Sequence, residues 1–105
     1  MRVVIDSKVQ ESLDEFYAIS LRLHPALDES TVMHKLERLY ASLEALGNSP
    51  YLYNRYAQYK KEWKEKMYRV YSTEDIIFAF TIALDDSGET YIRVHDAVHS
   101  LLYHD

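Results

Sequence analysis

Apolar residues recur at helical spacing through the first half of the chain and at strand spacing through the second. Val32, Met33, Leu36, Leu39, Tyr40, Leu43 and Leu46 fall at i, i+1, i+4, i+7, i+8, i+11 and i+14, the stripe of an amphipathic helix with a core-facing side. The spacing predicts that this helix starts in an Asp28-Glu29-Ser30 cap and stops at Gly47, a natural C′ residue, with Asn48 and Pro50 barring continuation. Upstream, Val9, Leu13, Phe16, Tyr17 and Leu23 predict another helix from Ser7 to about His24. Ser7 is its expected N-cap, Gln10 completes a capping box, and Pro25 breaks the chain. Two helices joined by a few residues make an antiparallel hairpin. Met33 and the leucine stripe are read as core rather than as a zipper, because so short a helix holds only about two heptads.

Strand signals flank this pair. Val3, Val4 and Ile5 are β-branched and end at Asp6-Ser7, a short first strand. From residue 67 the period changes to two: Met67 to Ser72 reads as a strand, and Ile76 to Leu84 as a central strand that is apolar on both faces. Its larger residues, Ile76, Phe78, Phe80, Ile82 and Leu84, share one face, and Ile77, Ala79, Thr81 and Ala83 the other. Asp85-Asp86-Ser87-Gly88 is a hairpin turn, and Glu89 to His95 returns as a strand that puts Arg93 and His95 on one face. Residues Asp96 to Asp105 are expected to add a short helix or an ordered tail anchored by Leu101 and Leu102. The fold class is α+β: an N-terminal strand, an antiparallel helical hairpin, then a three-stranded antiparallel meander, with the helices packed on one face of a mostly antiparallel sheet. If the hairpin covers only that face, apolar surface on the other is a groove for a partner's helix.

Composition narrows the class. The 105 residues make one domain, and 48% hydrophobic against 28% charged residues, with 2 Gly and 2 Pro, describe a globular chain without linkers. No cysteine is present, which excludes disulfides, thiolate metal sites and cysteine nucleophiles. The apolar run at Val3 to Ile5 is far too short for a signal peptide or a membrane span, so no membrane is expected and a cytoplasmic location is. Net charge is −5, unlike the basic footprint of most nucleic-acid binders. The average hides a pattern: residues 51–73 hold six Lys/Arg against two Asp/Glu, whereas residues 74–105 hold one against seven.

That basic segment interleaves cations with aromatics, the combination an RNA-facing surface requires, and it marks Lys60, Lys61, Lys64, Lys66 and Trp63 as candidate RNA-binding residues. The plainer reading is that the tyrosines wrap the end of the helical hairpin and the lysines are solvated, or that the patch docks an acidic segment of a partner. His95, His99 and His104 have no carboxylate or cysteine at metal-ligand spacing, so neither a metal nor a cofactor is expected.

Met67-Tyr68-Arg69-Val70-Tyr71, the apolar strand around Ile76 to Phe80, and Tyr91-Ile92-Arg93-Val94-His95, taken with the element order, resemble the RelE/ParE toxin superfamily over nearly the whole chain. The resemblance implies the toxin component of a bacterial toxin–antitoxin pair, held by a cognate antitoxin. When free, such a toxin either cleaves mRNA on the ribosome, as a metal-independent endoribonuclease, or poisons DNA gyrase. It also implies catalytic positions at Arg69, Arg93, His95 and His99, with Tyr103 and the lysines nearby. His95 and His99 both compete for the family's histidine position. Such a set suits RNA cleavage, which needs a base for the 2′-hydroxyl, cations for the pentacovalent phosphate and an acid for the leaving oxygen. The chain departs from the nuclease pattern in lacking an arginine on Asp75-Ile76-Ile77-Phe78 and in being acidic. Two other readings stand beside it: a non-catalytic ParE-like protein or inactive homologue that acts by binding, and an unrelated domain whose tyrosine-rich surface makes a homodimer.

Overall fold

The computed structural model describes residues 1–23, 26, 28–53, 55–100 and 103. Its order is β1 (Arg2–Ile5), α1 (Ser7–Leu23), α2 (Glu29–Asn48), a 3₁₀ turn at Pro50–Leu52, α3 (Lys61–Glu65), β2 (Arg69–Thr73), β3 (Ile76–Leu84) and β4 (Thr90–His99). The protein is α+β, with three α-helices and a mixed sheet of four strands, in the order β1-β4-β3-β2, among the described residues. β3 pairs antiparallel with both β2 and β4, and β1 lies parallel to β4 with Val4 opposite Arg93. The parallel pair, which the pattern of residues did not reveal, has a consequence for the site: it carries the end of β1 alongside the middle of β4.

Among the described residues two cores form, one on each sheet face. Val9 and Leu13 of α1, Leu39, Leu43 and Leu46 of α2, and Phe78, Phe80, Ile92 and Val94 of the sheet make one cluster, each large side chain contributing about 1.5–3 kcal/mol by burial. Ala57, Trp63, Ala79, Tyr68, Val70, Ile77, Val98 and Tyr103 make the other. The division of β3 into a large-residue and a small-residue face thus matches the two layers. The second face is covered by the chain's own residues 57–68, so the groove expected there for a partner's helix is largely filled.

Several boundaries differ from expectation for identifiable reasons. Gln10 closes no capping box: its amide donates to Asp14 at 3.2 Å and accepts from Tyr40 at 2.9 Å, while the Asp6 carbonyl takes the N–H groups of Val9 and Gln10. α2 does begin as predicted, with Asp28 accepting from Thr31 N at 2.8 Å. It runs one residue past Gly47, however, and this glycine serves close approach rather than a left-handed cap: a Cβ there would lie 2.5 Å from the Met1 carbonyl oxygen. Met33 is 44% exposed, because Val32 takes the buried position beside it. Lys61–Glu65 is a helical turn, so β2 starts at Arg69 after Met67 turns the chain with φ 55°. β4 runs on through His99 where a helix or tail was expected; Pro25, Leu101 and Leu102 lie outside the described residues.

The two sheet edges are unlike. Beyond β2, residues 55–57 add a further rung, Ala57 N donating to Tyr68 O at 2.8 Å and Val70 N to Arg55 O at 2.9 Å. Beyond β1 no strand pairs among the described residues. No described helix is long and apolar enough to cross a membrane.

Candidate functional site

Between Val94 and Asp96 the β4 ladder slips: Phe80 pairs with Val94 and Ala79 with Asp96, leaving His95 as the extra residue of a β-bulge. A bulge breaks the two-residue alternation of a strand. In regular register His95 and His99 would share a face. Here His99 pairs with Ile76, on the side of α1 and α2, whereas His95 turns to the opposite face with Thr81. The competition between the two histidines is therefore a difference of sheet face.

His95 stands in a compact set of polar groups. Its Nε2 lies 2.7 Å from Thr81 Oγ1, its ring stacks on Tyr68 at 4.4 Å between centroids and 8° between planes, and its Nδ1 is 3.9 Å from Asp6 Oδ2. Asp6 also receives a forked pair of hydrogen bonds from Arg93, Nε at 3.0 Å and Nη2 at 3.2 Å, the geometry a guanidinium favours with a carboxylate. Sequence reasoning placed Arg93 and His95 together, and the structure does so on one carboxylate. Asp6 itself was missed. It is 87 positions from Arg93, and only the parallel pairing of β1 with β4 brings them together.

The electrostatics assign protonation states. The hydrogen bond from Arg93 holds the Asp6 carboxyl below its ordinary value despite partial burial, and Arg93 is raised by the same bond. Burial, with help from the Arg93 charge, pushes the His95 imidazole below its ordinary value and outweighs the pull of Asp6. The ring is thus neutral near pH 7, and its approach to Asp6 is not an ion pair. A neutral imidazole beside a guanidinium fixed on a carboxylate can take a proton while the cation faces an anion.

Behind the bulge lies Asp96, buried at 7% exposure. Trp63 Nε1 donates to its Oδ2 at 2.9 Å, Lys8 Nζ approaches the same oxygen at 3.4 Å, and Ala97 N donates to Oδ1 at 2.9 Å. A buried carboxylate with three donors is satisfied rather than reactive. Asp96 and Trp63 fasten α3, and with it Tyr68, against the bulge.

The remaining candidates distribute as follows. Arg69 pairs with Phe80, so it lies on the helix side of the sheet, away from Arg93; its guanidinium stands 5.7 Å from the Tyr56 ring, with Nη1 buried and unbonded among the described residues. The four expected catalytic residues thus split, Arg93 and His95 on one face, Arg69 and His99 on the other. Trp63 is fully buried and has no open ring face for a base. Lys66 pairs with Glu62 at 3.0 Å and Lys61 with Glu65 at 3.9 Å, on the same short helix. Lys60 lies 5.3 Å from the Trp63 ring, and Lys64 is exposed. Lys66 also stands 6.0 Å from the Tyr68 ring, the one of these candidate lysines that adjoins the His95 cluster. Tyr103 packs on Trp63 and Tyr59 and accepts from Gln58 N at 3.2 Å.

No protein-family model, curated protein or solved structure matches this chain.

Proposed function

We propose that the protein is the toxin of a toxin–antitoxin pair, of the RelE/ParE kind, and that it cleaves RNA without a metal at the His95 cluster until a cognate antitoxin binds it. On this reading α1 and α2 are the antiparallel helical hairpin of that fold and β2, β3 and β4 its antiparallel meander. The observation that supports it most directly is the Asp6 carboxylate holding Arg93 beside His95. His95 then takes the proton of the ribose 2′-hydroxyl as that oxygen attacks the adjacent phosphorus. Arg93 and Lys66 supply positive charge to the pentacovalent phosphate, and water gives a proton to the departing 5′-oxygen, the resulting hydroxide being neutralised by the proton that His95 has taken. No redox partner or cofactor enters the balance, and the products are a 2′,3′-cyclic phosphate and a 5′-hydroxyl.

Induced expression in a bacterial host, with the 5′ ends of cellular RNA mapped, tests this. Growth arrest accompanied by new 5′-hydroxyl ends, both abolished in His95→Ala, is the expected result. Arrest unchanged in His95→Ala and Arg93→Ala would sink the nuclease.

A second reading is favoured by one specific feature. The His95 side chain is only 16% exposed, enclosed by Tyr68 and Thr81, which suits a latch under a protein-docking surface. In that case the protein acts by binding, on gyrase or on an antitoxin, and arrest occurs with no RNA cut.

A further inference from the structure

Away from His95, on the same face of the sheet, the chain folds over a cavity of about 270 Å³. Val70 and Ile77 form its floor. Tyr59 and Tyr103 wall it, meeting edge to face at 5.2 Å and 89°, while the Tyr56 ring lies beside Arg69. Tyr59 is 46% exposed, so the aromatic wall reaches solvent. Arg55 and Ser72 bring polar groups to the lining. The volume is a little below the roughly 300–1,000 Å³ of sites that take drug-sized ligands and has room for a single ring system.

We infer that this tyrosine-walled cavity binds one nucleobase of a single-stranded RNA that crosses the outer side of α3, which covers this face of the sheet, from the His95 cluster. Flat aromatic walls with a few hydrogen-bonding groups at the rim are what an unstacked base requires, and stacking on aromatics tolerates any base. The segment that builds the walls lies in the part of the chain where Lys and Arg outnumber Asp and Glu six to two. Position fits as well: Ile77 at the cavity floor is four residues along β3 from Thr81, which touches His95, a separation of roughly 13 Å. Between them Trp63 packs with Ala79 and bears α3 with its lysines. A strand held at one end by its base thus presents a phosphate a few nucleotides away to Arg93 and His95.

This inference rests on the RNA-cleaving reading only for the second end of the strand, and its test separates the two. The full-length protein, labelled with ¹⁵N, is titrated with adenosine 5′-monophosphate, uridine 5′-monophosphate and a short oligoadenylate. Shifts concentrated at Tyr59, Ser72 and Ile77, weakened roughly fivefold or more in Tyr59→Ala, kept in Tyr59→Phe and lost in Ser72→Leu, which fills the rim, are the expected result. His95→Ala leaves them unchanged. Absence of shifts with all three probes at millimolar concentration, or shifts that persist in a folded Ser72→Leu protein, would overturn the cavity assignment even if RNA cleavage were observed. Base binding at the cavity in a protein that cuts no RNA would uphold it while removing the nuclease.

Discussion

The indole N–H of Trp63 reaches Asp96 Oδ2 at 2.9 Å inside the layer between α3 and the sheet, and Asp96 is the residue that follows the bulge at His95. The contact therefore ties the least regular part of the chain to the least regular part of the sheet. Trp63→Phe keeps most of the ring volume and removes the donor. It should destabilise by about 1–3 kcal/mol, the cost of leaving a buried acceptor short of a partner, whereas Trp63→Ala adds a cavity and should cost about 3–5 kcal/mol. Urea unfolding gives both numbers, and equal midpoints for wild type and Trp63→Phe would show that the bond carries no net stability.

Protonation of His95 should be visible in stability. Its folded-state value lies below the ordinary 6.5, so between the two values the unfolded chain binds more protons than the folded one and stability rises with pH. The contribution is complete above about pH 6.5 and declines as pH falls from there toward the folded value. Asp6, lowered from 3.8, acts with the same sign further down: its stabilisation is present above its unfolded value and is lost as pH falls through the folded one. Tyr68→Ala opens the imidazole to water and should move the His95 midpoint, followed by NMR, upward. A midpoint that stays put would mean that stacking on Tyr68 has no part in the desolvation.

Arg93 is exposed and Asp6 is not far from exposed, so their ion pair should matter more to the site than to the fold. Arg93→Lys cannot reproduce the forked contact, because an ammonium is a point charge. Both Arg93→Lys and Arg93→Ala should raise the Asp6 titration and, if the protein cuts RNA as proposed, reduce that cleavage, with little change in unfolding midpoint. A lysine variant with full activity would reduce the role of Arg93 to charge alone.

Gly47→Ala sets two effects against each other. Alanine is favoured over glycine in a helix by about 1 kcal/mol, yet the new Cβ would meet the Met1 carbonyl oxygen at 2.5 Å and Val3 Cγ2 at 3.0 Å. Backbone has to move, and Met1 N also donates to the Gly47 carbonyl at 2.7 Å. We expect net destabilisation of about 1–3 kcal/mol, the usual range for overpacking, measured by thermal melting. A rise in melting temperature would show that β1 yields without cost.

Much of this architecture is legible in the residues. Leu39, Leu43 and Leu46 mark the buried stripe of α2, and the alternation in Ile76 to Leu84 separates a large-residue layer from a small-residue layer because a strand's side chains alternate strictly. That rule fails at His95, where one extra residue reverses the alternation and sends His99 to the helix side; no local composition announces it. α3 is equally hidden: Lys61 to Glu65 carries one apolar residue, Trp63, too few to show a period. Asp6 is invisible as a site residue because its partner comes from a parallel pairing between chain ends. The lysines were legible as charge, but the two glutamates spaced among them, Glu62 and Glu65, pair with Lys66 and Lys61.

The unequal edges of the sheet bear on how the protein can meet copies of itself. The rung at residues 55–57 covers β2 from Tyr68 to Val70, whereas the four residues of β1 have no neighbouring strand on their outer side among the described residues. Two molecules joined symmetrically through β1 would use up that edge of each, and at β1 growth would end at the pair.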